Sequence, residues 1–259
     1  MLGYSKRQLL DAYVYPGLAA LQIPKLLLWL MDTYRMRRCL AAVTAAEGVC
    51  FRASAMVHNP TGDTSRIRLG RYAFVLGDLV VHDYGGRIEI GEYSYVGINT
   101  RIFSGDLVKI GRFVLIAHNV TITDTNAHEL SALERAEYLL RTEVNRQPFL
   151  KTTIKTAPVE IGDHAWLNFD VGVLRGVTIG EGAIIGAGSL VTKDVPPYVL
   201  AAGNPARVIR ELPRDLDLAG RLKLVEEAGT RARRSRQSRK RADIACAAAP
   251  EPPRVRALK

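Results

Sequence analysis

The sequence predicts an all-β fold: a parallel β-helix of about five turns, with an α-helical N-terminal region, one protruding loop and a short C-terminal helix. The first observation behind this is a six-residue repeat. Residues 161–196 divide into IGDHAW, LNFDVG, VLRGVT, IGEGAI, IGAGSL and VTKDVP. First positions are Ile161, Leu167, Val173, Ile179, Ile185 and Val191, and fifth positions are small or β-branched. A helix cannot use that period, because at 100° per residue every sixth position steps around the cylinder. A short strand followed by a tight corner can, and three such sides close one turn of a triangular prism. The aliphatic residue then points to the prism axis, and glycine eases the corners.

The second observation is that the pattern reaches back to Leu69. Inward positions run Leu69, Val75, Val81, then Ile90, Val96, Ile102, then Ile110, Ile116, Ile122. With the six above they make fifteen, three per turn. The count slips between Val81 and Ile90, and again between Ile102 and Ile110, which reads as corner bulges. The third observation is the interruption at 124–160. Leu133, Ala136, Leu140 and Val144 give this insert a short amphipathic helix. Long loops on rigid scaffolds are usually functional, so chemistry is sought there.

Around the repeats, residues 1–66 read as a helical N-terminal region and a polar crossing segment, 67–209 as the β-helix, and 210–229 as a closing C-terminal helix. A solenoid needs caps to cover its open ends. Residues 12–31 are apolar but broken by Pro16, Pro24 and Lys25, too interrupted for a spanning helix. A helical cap is the expectation, with Trp29, the leucines and Arg35, Arg37 and Arg38 also suiting a membrane interface. Residues 230–259 read as a basic disordered tail. It holds most of the net charge of +10, with ten Lys/Arg against Asp243 and Glu251 over 231–259. The folded part is therefore not a basic nucleic-acid reader. The odd cysteine count and the absence of CxxC spacing argue against a disulfide framework or zinc site and fit a reducing compartment.

The ending KDVPPYVLAAGNPARVIREL resembles the hexapeptide-repeat O-acetyltransferases, in particular the galactoside and maltose acetyltransferase branch and the related polysaccharide-modifying enzymes. The resemblance covers about 67–212. It implies a left-handed coil, an exception to the usual crossover hand, a homotrimer, acetyl-CoA as donor and sites between subunits. It also implies that the catalytic histidine is His128, in the DTNAHEL stretch after the NVTI turn, as general base toward an acceptor hydroxyl. The loop is one residue longer before this histidine than in galactoside acetyltransferases. Asn99 aligns with a family asparagine near the acceptor, where it would orient the hydroxyl or support the oxyanion; the alternative is an asparagine stack at a β-helix corner. Ala187, Thr192, Lys193, Arg207 and Arg210 map onto the CoA groove, the basic three meeting phosphates. Phe169 stands where relatives carry a small residue.

The expected function is acetyl-CoA-dependent O-acetyl transfer to a sugar or polysaccharide precursor, with no metal. The alternatives are a drug-modifying acetyltransferase using the same groove and a β-helix scaffold without catalysis. A γ-type carbonic anhydrase shares the prism but needs a third histidine shortly after His118, where Thr121 and Thr123 stand. The expected location is cytoplasmic, with peripheral contact to an anionic inner membrane face through the tail.

Overall fold

The computed structural model describes residues 25–52, 54–145 and 153–214. The expected basic tail and all of the C-terminal helix beyond Arg214 lie outside these residues. Helix α1 (Lys25–Ala41) precedes a coil of short strands. Its first turn is β1 (Thr44–Ala45), β2 (Cys50–Phe51) and β3 (Met56–His58), and its second is β4 (Ile67–Leu69), β5 (Phe74–Val75) and β6 (Asp78–Val81). The third turn is β7 (Ile88–Ile90), β8 (Tyr95–Val96) and β9 (Arg101–Ser104); the fourth is β10 (Val108–Ile110), β11 (Leu115–Ile116) and β12 (Thr121–Thr123). The fifth is β13 (Val159–Ile161), β14 (Trp166–Leu167) and β15 (Gly172–Val173); the sixth is β16 (Thr178–Ile179), β17 (Ile184–Ile185) and β18 (Leu190–Val191). Strand β19 (Val199–Ala202) extends the second sheet, and β20 (Arg207–Glu211) returns antiparallel to it.

Each strand pairs in parallel with the equivalent strand one turn away, so every third strand shares a sheet. The pairing carries the register. Leu69, Ile90, Ile110, Ile161 and Ile179 stack in the first sheet. Val75, Val96, Ile116, Leu167 and Ile185 stack in the second. All ten are buried, as are the small fifth-position residues such as Ala165, Val171 and Ala183. A strand of two or three residues cannot bury itself; its neighbours above and below do so.

Two features differ from the sequence reading. The coil has six turns rather than five, because residues 44–58 form a first turn instead of a crossing segment. That turn escapes the pattern because an end turn packs on only one side: β1 is exposed, and Phe51 alone fills its core position on a strand. Helix α1 closes this open end, burying Cys39 and bringing Met36 against the core. In the third sheet, Leu79 rather than Val81 pairs with Ile102 and Ile122 in the inward column. The corner after β5 is two residues shorter than six-residue spacing allows, and Val81, opposite Ser104, is buried as a second inward residue. At the far end, Arg210 and Glu211 belong to β20 and not to a helix.

The corner between the first and second sheets is occupied mostly by non-glycine residues in left-handed backbone: Tyr72, Tyr93, Phe113, His164 and Tyr198. An L-residue there costs roughly 1–2 kcal/mol. Ring stacking offsets part of it, with centroids 5.3 Å apart for Tyr72–Tyr93, 5.0 Å for Tyr93–Phe113 and 5.2 Å for Phe113–His164. Gly182 takes the same place one turn later at φ +64°, where a Cβ would lie 2.7 Å from the Tyr198 ring.

The columns set a stability expectation. Replacing Ile122, fully buried in the third sheet, with alanine should cost roughly 2–5 kcal/mol in denaturant unfolding. Replacing Lys109, whose side chain faces outward in β10, should stay within about 0.5 kcal/mol.

Candidate active site

The extra residues collect at one corner, between the third sheet and the first. Successive turns add the bridge between His82 and Gly85, the bend after Ser104, and the long insertion after Thr123. The two period slips and the large interruption are therefore one structural feature, stacked over three turns.

Asp124 is its buried anchor. Its carboxyl group accepts hydrogen bonds from Gly105 N at 2.6 Å and Asp106 N at 3.0 Å, and lies 2.7 Å from Ser104 Oγ. Ser104 Oγ also accepts from Arg87 N at 3.1 Å and lies 2.9 Å from Arg87 O. A hydroxyl has one proton. If Ser104 donates to the Arg87 carbonyl, the contact to Asp124 requires a proton on the carboxyl group. Burial pushes the Asp124 carboxyl above the usual carboxylate range, against the three donors that favour its ionised form.

From this anchor the insertion leaves as a paired stem. Ala157 N donates to Asp124 O at 2.9 Å, Thr125 bridges Thr156, and Asn126 N donates to Lys155 O at 3.0 Å. Arg175 Nε, from the turn beyond, reaches Asn126 Oδ1 at 2.7 Å. Ala127 is forced to φ 62°, and the next residue is His128. Helix α2 (Ala132–Leu139) follows, capped by Ser131 and continued by one wide π-turn, Leu140–Val144. Its Tyr138 meets His128 edge-on at 5.3 Å. His128 is thus exposed to solvent yet held at the stem of the loop rather than at its tip.

The same corner carries His82, whose ring stacks on Tyr84 at 4.8 Å and lies near-parallel to Phe103 at 6.4 Å. Burial holds the His82 imidazole below its ordinary value, and Asp124 and Asp83 oppose that only partly. The Tyr84 hydroxyl lies 3.0 Å from Thr125 Oγ1 and ties the second-turn bulge to the stem.

Asn99 is elsewhere. It sits with Asn119, Asp170 and Gly188 in left-handed backbone at the corner between the second and third sheets. Within one chain, the third sheet separates it from His128. Asn99 is therefore one rung of the corner stack that competes with its catalytic reading. His118 occupies this second corner too, stacked on Phe169 at 5.3 Å, so it and His82 stand at different corners. Among the described residues, no group of three or more His, Cys, Asp or Glu is placed to hold a metal ion.

Of the residues mapped to the donor groove, Lys193 and Arg207 line one cavity of about 280 Å³ with Asp194, Val195, Ala201, Ala206 and Val208. Ala187, Thr192 and Arg210 are exposed but do not line it. Ala187 stands one turn beyond Phe169, whose carbonyl accepts from Gly188 N at 3.0 Å. The sequence reading missed Asp124, Ser104 and Tyr84. The signal that could have found them was the coincidence of all three slips at the same position of the repeat.

Residues 158–193 match the family described as bacterial transferase hexapeptide (six repeats). The match falls on the fifth and sixth turns of a left-handed parallel β-helix. Among curated proteins it is similar to galactoside O-acetyltransferase of Escherichia coli (strain K12), 41% identical over 133 residues, which are 51% of this chain and 58% of that one. The chain thus spans less than two thirds of this relative's length. Among solved structures, a variant of AntD, an N-acyltransferase from Bacillus cereus, in complex with dTDP and coenzyme A, superposes with a TM-score of 0.56 at 18% identity, covering 73% of this chain and 95% of that one. AntD in complex with dTDP and 3-hydroxybutyryl-CoA gives 0.53 at 18%, covering 74% and 95%. At that identity the likeness defines the fold alone.

The anchor predicts a pH dependence. A carboxyl group whose folded value lies above its unfolded value stabilises the fold fully below the unfolded value and loses that contribution as pH rises through the folded one. Unfolding followed from about pH 4 upward should show the native protein losing stability relative to Asp124→Asn, which has no proton to lose. A difference independent of pH would place Asp124 in the ionised form throughout.

Proposed function

We propose that the protein is an acetyltransferase that moves an acetyl group from acetyl-CoA to a hydroxyl of a sugar or polysaccharide precursor, with His128 as general base. The observation that carries this reading is His128 itself: an exposed imidazole on a hydrogen-bonded stem, beside a rigid prism edge. Similarity to a galactoside O-acetyltransferase supports a hydroxyl acceptor over an amine.

An alcohol is a poor nucleophile while protonated, and imidazole suits proton removal near neutral pH. In this reading His128 takes the hydroxyl proton as the acceptor oxygen attacks the thioester carbonyl. The carbon–sulfur bond breaks as the ester forms, and the imidazolium returns the proton to the departing sulfur. The stem supplies orientation: Ala127, Asn126 and Tyr138 limit where the ring can go, which replaces an entropy cost otherwise met at the transition state. Lys193 and Arg207, sharing one cavity, are suited to the donor's phosphates, while the exposed Arg210, Thr192 and Ala187 would meet the donor outside that cavity. Phe169, standing where relatives carry a small residue, stacks on His118.

His128→Ala should lower turnover by roughly 10²–10⁴-fold with acetyl-CoA affinity and melting temperature unchanged, whereas Arg207→Ala should weaken acetyl-CoA binding at nearly normal turnover. Near-normal turnover in His128→Ala would reject it as the base.

The separation of Asn99 from His128 favours a site completed by a second copy. The outward side of the second sheet is apolar across six neighbouring strands, with Phe74, Tyr95, Leu115, Trp166, Ile184 and Leu200 in register before Arg210 pairs with Leu200 on β20. By contrast, Arg68, Glu89, Lys109 and Glu160 line the outer side of the first. A cyclic trimer packed on the second sheet covers that stripe and lets Asn99 of one subunit approach His128 of another. Light scattering should give three copies, and Trp166→Glu should yield an inactive monomer; an active monomer would remove the shared site.

A further inference from the structure

We propose that Phe169, held in place by His118, limits the size of the acyl group that this protein accepts and so selects acetyl. The inference rests on the acetyl-transfer reading and deepens it. One ladder of residues runs along the corner between the second and third sheets. Asn119 N donates to Ile98 O at 3.1 Å, Asp170 N to His118 O at 3.2 Å and Gly188 N to Phe169 O at 3.0 Å. Ile98, His118, Phe169 and Ala187 therefore follow one another on the third, fourth, fifth and sixth turns. Neighbouring rungs are one strand spacing apart, about 4.8 Å. The His118 and Phe169 rings lie flat on each other, with centroids 5.3 Å apart and an interplanar angle of 8°. The next rung offers only the methyl group of Ala187, and a Cβ added to Gly188 beside it would meet nothing within 4 Å. Along this corner the wall thus steps from an open stretch on the sixth turn to a ring, 42% exposed, on the fifth.

The donor comes to this step from the cationic end. Leu190 N donates to Gly203 O at 3.0 Å and Ala206 N to Leu190 O at 2.8 Å, so residues 203–206 lie on the turn beyond Ala187 and lead into Arg207. With its phosphates on Lys193 and Arg207, a donor whose arm lies over Ala187 meets the Phe169 ring on the next rung. The base arrives at the same height. The insertion bearing His128 leaves the wall between the fourth and fifth turns, the two turns that carry His118 and Phe169. The apolar stripe of the second sheet runs along the coil, so copies packed on it about a parallel three-fold axis keep every residue at its own height. His128 of the neighbouring copy is then level with the His118–Phe169 stack, and the thioester has to stop there. The same bonds change for any acyl chain: the carbon–sulfur bond breaks, the carbon–oxygen bond forms, and the hydroxyl proton ends on the CoA sulfur. Selection between acyl chains is therefore a matter of space. An acetyl group ends at its methyl, whereas each further methylene must push a ring that is backed by a second ring. His118 is a positioning residue here, acting through Phe169.

The test measures the binding of acetyl-, propionyl- and butyryl-CoA to the full-length protein by calorimetry, which needs no acceptor. The wild type should prefer acetyl-CoA to propionyl-CoA by roughly 10–200-fold, the range that one extra methylene commands in a close-fitting pocket. Phe169→Ala should shrink that preference by about tenfold or more. His118→Ala, which removes the supporting ring, should shrink it in part, and His118→Phe, which restores a ring, should keep it. A merely structural role would lower the melting temperature of these variants and leave the preference where it was. Equal binding of all three thioesters by the wild type, or an unchanged preference in Phe169→Ala, would overturn the assignment and leave the acetyl-transfer reading standing. A wild type that binds none of the three would instead overturn the acetyl-transfer reading, and this inference with it.

Discussion

The structure depends on one constraint: a strand of two or three residues must be buried by the turns above and below it. Parallel pairing between turns satisfies the backbone, and the inward columns bury the side chains in the same step. Leu167 illustrates both. It is fully buried, and it pairs with Ile116 on one side and Ile185 on the other. Because every turn needs its neighbours, the wall tolerates additions only where the chain is already turning. The corner after the third sheet takes them all, and there the fold buries Asp124, Ser104 and Thr125 beside the half-buried ring of His82.

That placement joins scaffold and chemistry. A loop attached to a mobile tether would leave His128 free to explore many orientations. Here the stem is paired through Thr125 and Thr156, pinned to the next turn by Arg175 and anchored by Asp124. The left-handed Ala127 immediately before His128 is a local strain that the surrounding hydrogen bonds maintain. At the corner between the first and second sheets similar backbone strain recurs, but there stacked rings offset part of it and it contributes only to the frame.

The two ends of the prism are treated differently. One is closed by α1, whose packed side completes the core. At the other, β19 extends the second sheet, and β20 folds back on it with its five residues exposed. The cavity bearing Lys193 and Arg207 lies at that second end, so the groove read as the donor site and helix α1 are at opposite ends of the coil.

The sequence by itself determined the coil, because a six-residue period has a single physical solution and the aliphatic positions state it turn by turn. It also located the loop and His128, since an interruption is visible wherever a strict period breaks. The end turn was illegible because a turn packed on one side lacks the full inward pattern, and the Leu79 register was hidden because two buried residues follow a shortened corner. Which residues meet across turns was decided only by the tertiary structure. Ser104 and Asp124 are twenty positions apart and Thr125 and Tyr84 forty-one, and no local pattern links them. The same holds for Asn99, which sequence similarity set beside His128 and the fold sets at another corner: spacing along the chain fixes the turn a residue occupies, and the folded coil fixes which wall stands between two of them.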